Sequence, residues 1–177
     1  MRKKVLIACE ESQVECLAFR EFGAEAFSCD LKPTSGPVKE WHFQCDVKEI
    51  LYEKWDMVIA HPPCTYLSNA NPRPHDPEKV RAARDFFLMF YELKCPFCIE
   101  NPRPRPGILP KHSFILSPHQ CGSEYSKLTY YWTNRLSPLF PTTICLNPKS
   151  FVREFRNAEM RSKSFPEIAY LMAYYWL

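Results

Sequence analysis

The sequence predicts an α/β fold, a mostly parallel sheet with helices on both faces. Three observations carry this expectation. Residues 5–8, 56–60 and 97–99 are short apolar, partly β-branched runs of the kind buried on both faces of a parallel sheet. Helical periodicity lies between them, giving a β-α-β-(α)-β-α-β order. Polar or reactive residues cluster where the runs end, which is where open parallel sheets place their ligands.

Residues 5–8 (Val-Leu-Ile-Ala) read as the first strand. Ser12 is placed to cap a helix over 13–22, whose apolar Val14, Leu17, Ala18 and Phe22 recur at three- and four-residue steps. Gly23 follows as a C′ residue. A second strand over 24–29 closes on Asp30, and a Pro/Gly loop fills 32–38. Such a unit, with an acid ending its second strand, occurs in nucleotide-cofactor folds, where the carboxylate accepts from ribose hydroxyls. Asp46 and Val47 precede a short helical turn. The strand over 56–60 runs into His61-Pro62-Pro63-Cys64, where paired prolines enforce an extended, stiff backbone. Pro77 and Glu78 open the longest helix, ending near Lys94, and the strand over 97–99 ends at Glu100-Asn101-Pro102. Beyond Pro102 come a Pro/Arg-rich segment, strand-like runs at 113–116 and 128–132, and a helix over 166–176. Pro166 suits that helix's first position, and Ile168, Leu171, Met172 and Tyr175 give its periodicity.

Composition narrows the class. The chain has 177 residues, 46% hydrophobic and 24% charged, enough for one domain with a buried core. No apolar run approaches the roughly 20 residues of a membrane span, and the run at 5–9 is too short for a signal peptide. A cytoplasmic location with no membrane partner is expected. The 9 cysteines are odd in number and expected to be reduced, mostly as small buried hydrophobes. Only 4 glycines stand against 17 prolines, and neither a P-loop nor a G-x-G-x-x-G is present. The net charge of +3 hides an asymmetry. Residues 1–100 carry 13 Lys/Arg and 16 Asp/Glu, whereas 101–177 carry 10 and 4. The basic half also holds Tyr130, Tyr131, Trp132, Phe151, Phe155 and Trp176; the pattern fits a nucleic-acid surface, but core weighs more for the aromatics.

Cys64 stands out among the cysteines. A thiol after two prolines at a strand end sits on a rigid support facing a cleft, and as a thiolate it is a nucleophile. Enzymes that add such a thiol to C6 of a pyrimidine make C5 nucleophilic. Cys95-Pro-Phe-Cys98, with His119 and Cys121, suggests zinc only weakly. Structural zinc needs four converging ligands, and Cys98 belongs to a core strand, so no metal is expected.

The stretches VLIACEESQ, AFREFGAEAFSCDL and QCDV resemble the cofactor half of the DNA cytosine C5-methyltransferases that use S-adenosylmethionine (SAM). WDMVIAHPPCTYLS resembles the catalytic cysteine motif of that family and CIENP its Glu-Asn motif. YYWTNRLSPLFPT and RSKSFPEIAYLMAYYW are similar to C-terminal stretches of its compact, often phage-encoded members. The resemblance implies a Rossmann-like class I methyltransferase fold in a single domain. Residues 1–101 would form the cofactor and catalytic core, 102–165 a reduced DNA-facing target-recognition region, and 166–177 the C-terminal helix. It also implies SAM as cofactor and DNA as partner, with sequence specificity weak or supplied by an accessory partner.

Carried over by position, Cys64 would attack C6 of a flipped-out cytosine, and Glu100 would contact N3 and the exocyclic amine. Asn101 would position the Cys64 loop. Asp30 would hold the ribose, Asp46 and Val47 the adenine, and the backbone at Ala8, Cys9 and Glu10 the methionine end. His61 and Pro62 would complete the cofactor set, with a structural His61 the alternative. The family's usually Gly-rich first loop has no glycine here, and Glu10 and Glu11 would add negative charge near the methionine carboxylate. Arg103 and Arg105 are expected to meet phosphate. Lys127 or Arg135 would replace a missing base-contacting arginine, and Arg153, Arg156, Arg161 and Lys163 form a second basic set. Two other readings stay open: an amino-methyltransferase, whose Pro-Pro-aromatic motif would here have Cys64 in the aromatic's place and Tyr66 two residues on, and a catalytically silent DNA-binding or anti-restriction protein.

Overall fold

The computed structural model describes residues 2–69, 75–155, 157, 160 and 162–177. The main sheet contains β1 (Lys4–Ala8), β2 (Glu25–Asp30), β3 (His42–Gln44), β4 (Met57–Ala60), β5 (Phe97–Pro102), β6 (Phe114–Leu116) and β8 (Thr129–Asn134). Its spatial order is β3-β2-β1-β4-β5-β8-β6. The pairs β1–β2, β1–β4, β2–β3 and β4–β5 are parallel, and β8 runs against both β5 and β6. A separate parallel pair joins β7 (Tyr125–Ser126) to β9 (Lys149–Ser150). The helices are α1 (Val14–Glu21), α2 (Pro77–Met89), α3 (Phe151–Glu154) and α4 (Pro166–Trp176).

Successive side chains of a strand face opposite ways, which divides the core in two. Val5, Ile7, Met57, Ile59 and Cys98 pack with Cys16 and Phe19 of α1 and with Ile168 and Met172 of α4. Leu6, Val58, Ala60 and Ile99 pack on the other face with Phe87 of α2, Phe90 and Trp132. Each large side chain fully buried in these layers contributes about 1.5–3 kcal/mol. Tyr131, Trp132, Phe151 and Trp176 are all buried, so these aromatics of the basic half serve the core. No helix among the described residues is long and apolar enough to cross a membrane.

Several local expectations need correction. The N-cap of α1 is Gln13, in a left-handed conformation, and Ser12 does not make the cap. Instead Oε1 of Glu10 accepts the Val14 N–H at 2.6 Å, while Ser12 Oγ donates to that same oxygen. The buried stripe of α1 is Glu15, Cys16, Ala18 and Phe19, because the helix is wedged between the sheet and α4. Phe22 is exposed and meets Tyr170 and Tyr174 edge-on. The end of α1 is as expected. Gly23 has φ 92°, with Gly23 N–H bonded to Arg20 O and Ala24 N–H to Phe19 O, a Schellman motif. β3 was not foreseen. It is three residues long with two of them exposed, and so carries little apolar signal.

Candidate active site

β1 to β5 point the same way, so their carboxyl ends bring Cys9, Asp30, Cys45, His61 and Glu100 to one edge of the sheet. Two cavities lie there and share Cys9, Asp30 and Pro63. The smaller, about 240 Å³, is walled by apolar Leu31, Val47 and Phe86, with the carboxylates of Asp30 and Asp46 at its rim. The larger, about 400 Å³, reaches past Glu11 and His61 to Cys64, Thr65 and Ser164.

The smaller cavity suits a flat, edge-polar group such as a purine nucleoside: apolar surfaces for its faces and carboxylates for its amine and hydroxyls. Asp30 and Asp46 are fixed by local bonds. Asp30 accepts the Lys32 N–H at 2.9 Å. Asp46 accepts the Lys48 N–H at 3.0 Å and forms a capping box with Glu49. Two expected members of the cofactor set do not line either cavity: Ala8 is fully buried and its carbonyl accepts the His61 N–H, and Pro62 is buried while Pro63 lines both cavities. Cys9, at φ 59°, keeps its place in both cavities; burial, then the charges of Asp30 and Asp46, push its thiol up to about 12. Cys29 and Cys45 were not singled out from the sequence. Their sulfurs lie 3.8 Å apart in the wall of the smaller cavity.

Glu10 corrects a further expectation. Its side chain turns inward to cap α1 and is 5% exposed. Burial first, then the charge of Glu15, raises it to about 8, so it is mostly uncharged at pH 7. Glu11 instead binds the following loop, accepting the Ser35 N–H at 3.0 Å. That loop is locked by Gln13, whose amide donates to Val38 O at 2.7 Å and accepts the Val38 N–H at 3.1 Å.

The thiol of Cys64 is half-buried and faces the larger cavity. The Cys64 carbonyl accepts the N–H groups of Leu67 and Ser68, which closes a turn behind it. Asn101, 1% exposed, donates from Nδ2 to the Pro62 carbonyl at 2.9 Å and so ties β5 to this loop. Glu100 precedes it and takes a hydrogen bond from the buried Tyr131 hydroxyl.

His61 lies between two carboxylates. Its Nε2 is 3.1 Å from Glu15 Oε1 and its Nδ1 is 3.8 Å from Glu100 Oε2. Desolvation works against the imidazolium, but the charge and hydrogen bonding of Glu15, then the charges of Glu100 and Glu10, outweigh it and raise His61 to about 9. Glu15 is held below the usual carboxylate range. Burial opposes this, but His61 and a hydrogen bond from Ser164 prevail. Glu100 is shifted upward by burial, against the pull of His61 and Lys127. These three residues offer ligand-type atoms within 4.8 Å of one another. The carboxylates, however, sit against different ring nitrogens, whereas an ion would take one. The arrangement is an imidazole ring set between two carboxyl groups, one at each nitrogen. Glu15 was missed because an acid inside a helix normally reads as solvent-facing; its place in the same turn as Ala18 and Phe19 was the available signal.

The basic residues divide by position. Arg103 and Arg105 lie beside the Cys64 loop: Asn69 N–H donates to Arg103 O, and Arg105 N–H to Leu67 O, both at 2.9 Å. Lys127 precedes β8 at the same edge, with Nζ 5.6 Å above the Phe165 ring, and its charge reaches Glu100. Arg135 does not belong with them. β8 is antiparallel, so Arg135 follows Asn134 at the opposite edge, opposite Phe97, where its guanidinium donates to Lys94 O. Arg153 is exposed on α3, and Lys163 is half-buried. Arg156 and Arg161 lie outside the described residues.

No protein-family profile and no curated protein matches the chain. Among solved structures it is similar to the S. pombe Dnmt2 methyltransferase, with 14% identity and a TM-score of 0.45 over 75% of this chain and 48% of that one. It is likewise similar to a triple mutant of Spodoptera frugiperda DNMT2, with 18% identity and a TM-score of 0.45 over 84% and 56%. The chain thus spans about half the length of both. The seven-stranded, mostly parallel sheet with helices on both faces is a Rossmann-like α/β fold.

Proposed function

We propose that this chain transfers a methyl group from SAM to C5 of cytosine in DNA through a covalent Cys64–C6 adduct. The observation that carries the reading is the larger cavity. It presents the Cys64 thiol on a proline-stiffened loop tied to Asn101, and it adjoins a nucleoside-sized cavity through Cys9, Asp30 and Pro63. SAM, when bound, supplies an electrophilic methyl group on sulfur.

The chain's own residues do the rest. Asp30 and Asp46 orient the nucleoside end, with Leu31, Val47 and Phe86 against its faces. A cytosine must leave its duplex stack to reach Cys64. The thiolate adds to C6, and the π pair of C5=C6 shifts through the ring toward N3. Glu100, fixed by Tyr131, meets that developing charge, a preorganised electrostatic contribution. C5 takes the methyl group, loses its proton to a base, and the C6–S bond breaks to release Cys64.

Incubation with methyl-labelled SAM and DNA, followed by mass analysis of nucleosides, tests the reading. 5-Methylcytosine from the unaltered chain and none from Cys64→Ser is the expected result. N4-methylcytosine or N6-methyladenine would establish the amino-methyltransferase reading instead. An absence of SAM binding by calorimetry would favour the silent DNA-binding one.

A further inference from the structure

The reaction as proposed leaves two buried ionisable groups beside the cleft without a task. Glu15 comes from α1 and His61 from the end of β4, and with Glu100 of β5 they form a continuous line of ionisable groups. Glu15 is 1% exposed, and a carboxylate is almost never buried so deep unless it is paired, here with His61 at 3.1 Å.

We infer that His61, anchored by Glu15, is a positioning residue that controls the proton on Glu100 during addition to cytosine. The inference rests on the proposed cytosine chemistry.

Cytosine N3 is an acceptor, so a productive contact needs one proton between it and Glu100. Burial shifts the Glu100 carboxyl upward, toward the acid that this contact requires, against the charges of His61 and Lys127. When the sulfur–C6 bond forms, the π pair of C5=C6 moves through the ring to N3, which takes the proton from the Glu100 carboxyl. A carboxylate remains, 3.8 Å from the His61 ring. An imidazolium there stabilises that carboxylate and lowers the cost of the transfer. When the C6–S bond breaks, the N3 proton returns to Glu100, which is reset as the acid; the one proton released overall is the one that leaves C5. Glu15 keeps His61 cationic from the other ring nitrogen. The groups facing this line are Glu10 from the loop after β1, Cys98 within β5, Tyr131 of β8 and Lys127 before β8. Of these, only Lys127 adds another positive charge near Glu100. It approaches from the β8 side, so it supplements His61 without replacing it.

The test is the pH profile of methyl transfer from labelled SAM to a cytosine-containing DNA duplex, with folding of each variant checked by circular dichroism. In His61→Gln, loss of the cation moves the alkaline limb to higher pH by roughly 1 to 3 on the pH scale. Its plateau kcat falls about tenfold or more, with little change in KM for DNA. Because a substitution this deep costs stability, Glu15→Gln gives a second route: it lets His61 lose its proton near neutrality, so transfer falls above that point. Nitrogen NMR of the unaltered protein, with no DNA present, should show an imidazolium through pH 7.5 that Glu15→Gln converts to neutral imidazole. A purely structural His61 would change melting temperature but not the limb. An unaltered His61 that titrates below pH 7, or an unshifted limb in a folded His61→Gln, overturns the inference. No methylcytosine from the unaltered protein overturns the reaction itself, whereas methylcytosine with an unshifted limb overturns only the role of His61.

Discussion

The carboxamide of Asn101 donates to the Pro62 carbonyl across 2.9 Å, and both groups are buried. Proline has no N–H with which to anchor the loop, so a side chain from the neighbouring strand supplies the bond. Replacing Asn101 by Ala leaves that carbonyl without its donor, at a cost of about 1–3 kcal/mol. Chemical denaturation should register this loss. Single-turnover methyl transfer should slow while SAM binding by calorimetry is unchanged, because the loop that carries Cys64 is loosened and the nucleoside cavity is not.

Glu10 makes a second prediction, with a sign. Its carboxyl is raised to about 8 from an ordinary 4.5, first by burial and then by Glu15. The folded state therefore keeps a proton that the unfolded chain releases. The stability this proton gives is complete below pH 4.5 and is lost as pH rises through 8. Glu10→Gln keeps the oxygen that caps Val14 but removes the titration, so its melting temperature should fall less between pH 5 and 8 than that of the unaltered chain. Glu10→Ala loses the cap as well and should cost about 1 kcal/mol. Melting curves of the three proteins across that range decide the matter.

What could be read from the sequence followed from burial and chain order. β1 from Val5 onward and all of β4 are apolar because both of their faces are covered, and a strand of that kind declares itself from four residues. The polar ends of β4 and β5, His61 through Cys64 and Glu100-Asn101, were legible for the same reason, since the apolar run stops where the cleft begins. Local bonds whose partners are distant in sequence were not legible. Nothing near Glu15 announces His61, which is 46 residues later, and only the parallel pairing of β1 with β4 brings them together. Arg135 shows the converse error: its place in the sequence suggested the cleft, but the reversed direction of β8 carries it to the far edge.

Gly36 supports the loop beside the nucleoside cavity. A Cβ built on it would stand 2.3 Å from Gln13 Oε1 and 2.7 Å from Gln13 Cβ. Gln13 is fully buried and held by Val38 through two hydrogen bonds, so it has nowhere to retreat. Gly36→Ala should therefore destabilise the protein by about 1–3 kcal/mol, the usual range for overpacking. Hydrogen exchange should show lost protection at the Val38 amide, ahead of any loss in β1 or β4. Full protection at Val38 with a normal melting temperature would refute the account of this contact.

The basic residues near Cys64 make the last prediction, and Arg135 provides its control. Arg103 is exposed on a segment braced against the Cys64 loop, and Arg153 is exposed on α3, which packs through Phe151 beneath Lys127. If each contacts one phosphate, duplex binding should release counterions at both positions, and the slope of log K against log salt carries about 0.9 per contact. Arg103→Gln with Arg153→Gln should weaken binding at low salt and reduce the slope by about 1.8. Arg135→Gln removes the same charge from the opposite edge of the sheet, so its slope should match that of the unaltered chain. Net charge alone would make the effect depend on how many arginines are removed, wherever they lie; phosphate contact makes it depend on which edge they occupy. Fluorescence anisotropy with a labelled duplex at several salt concentrations separates these cases. Equal slopes in all three proteins would remove the DNA face from the edge that holds Cys64.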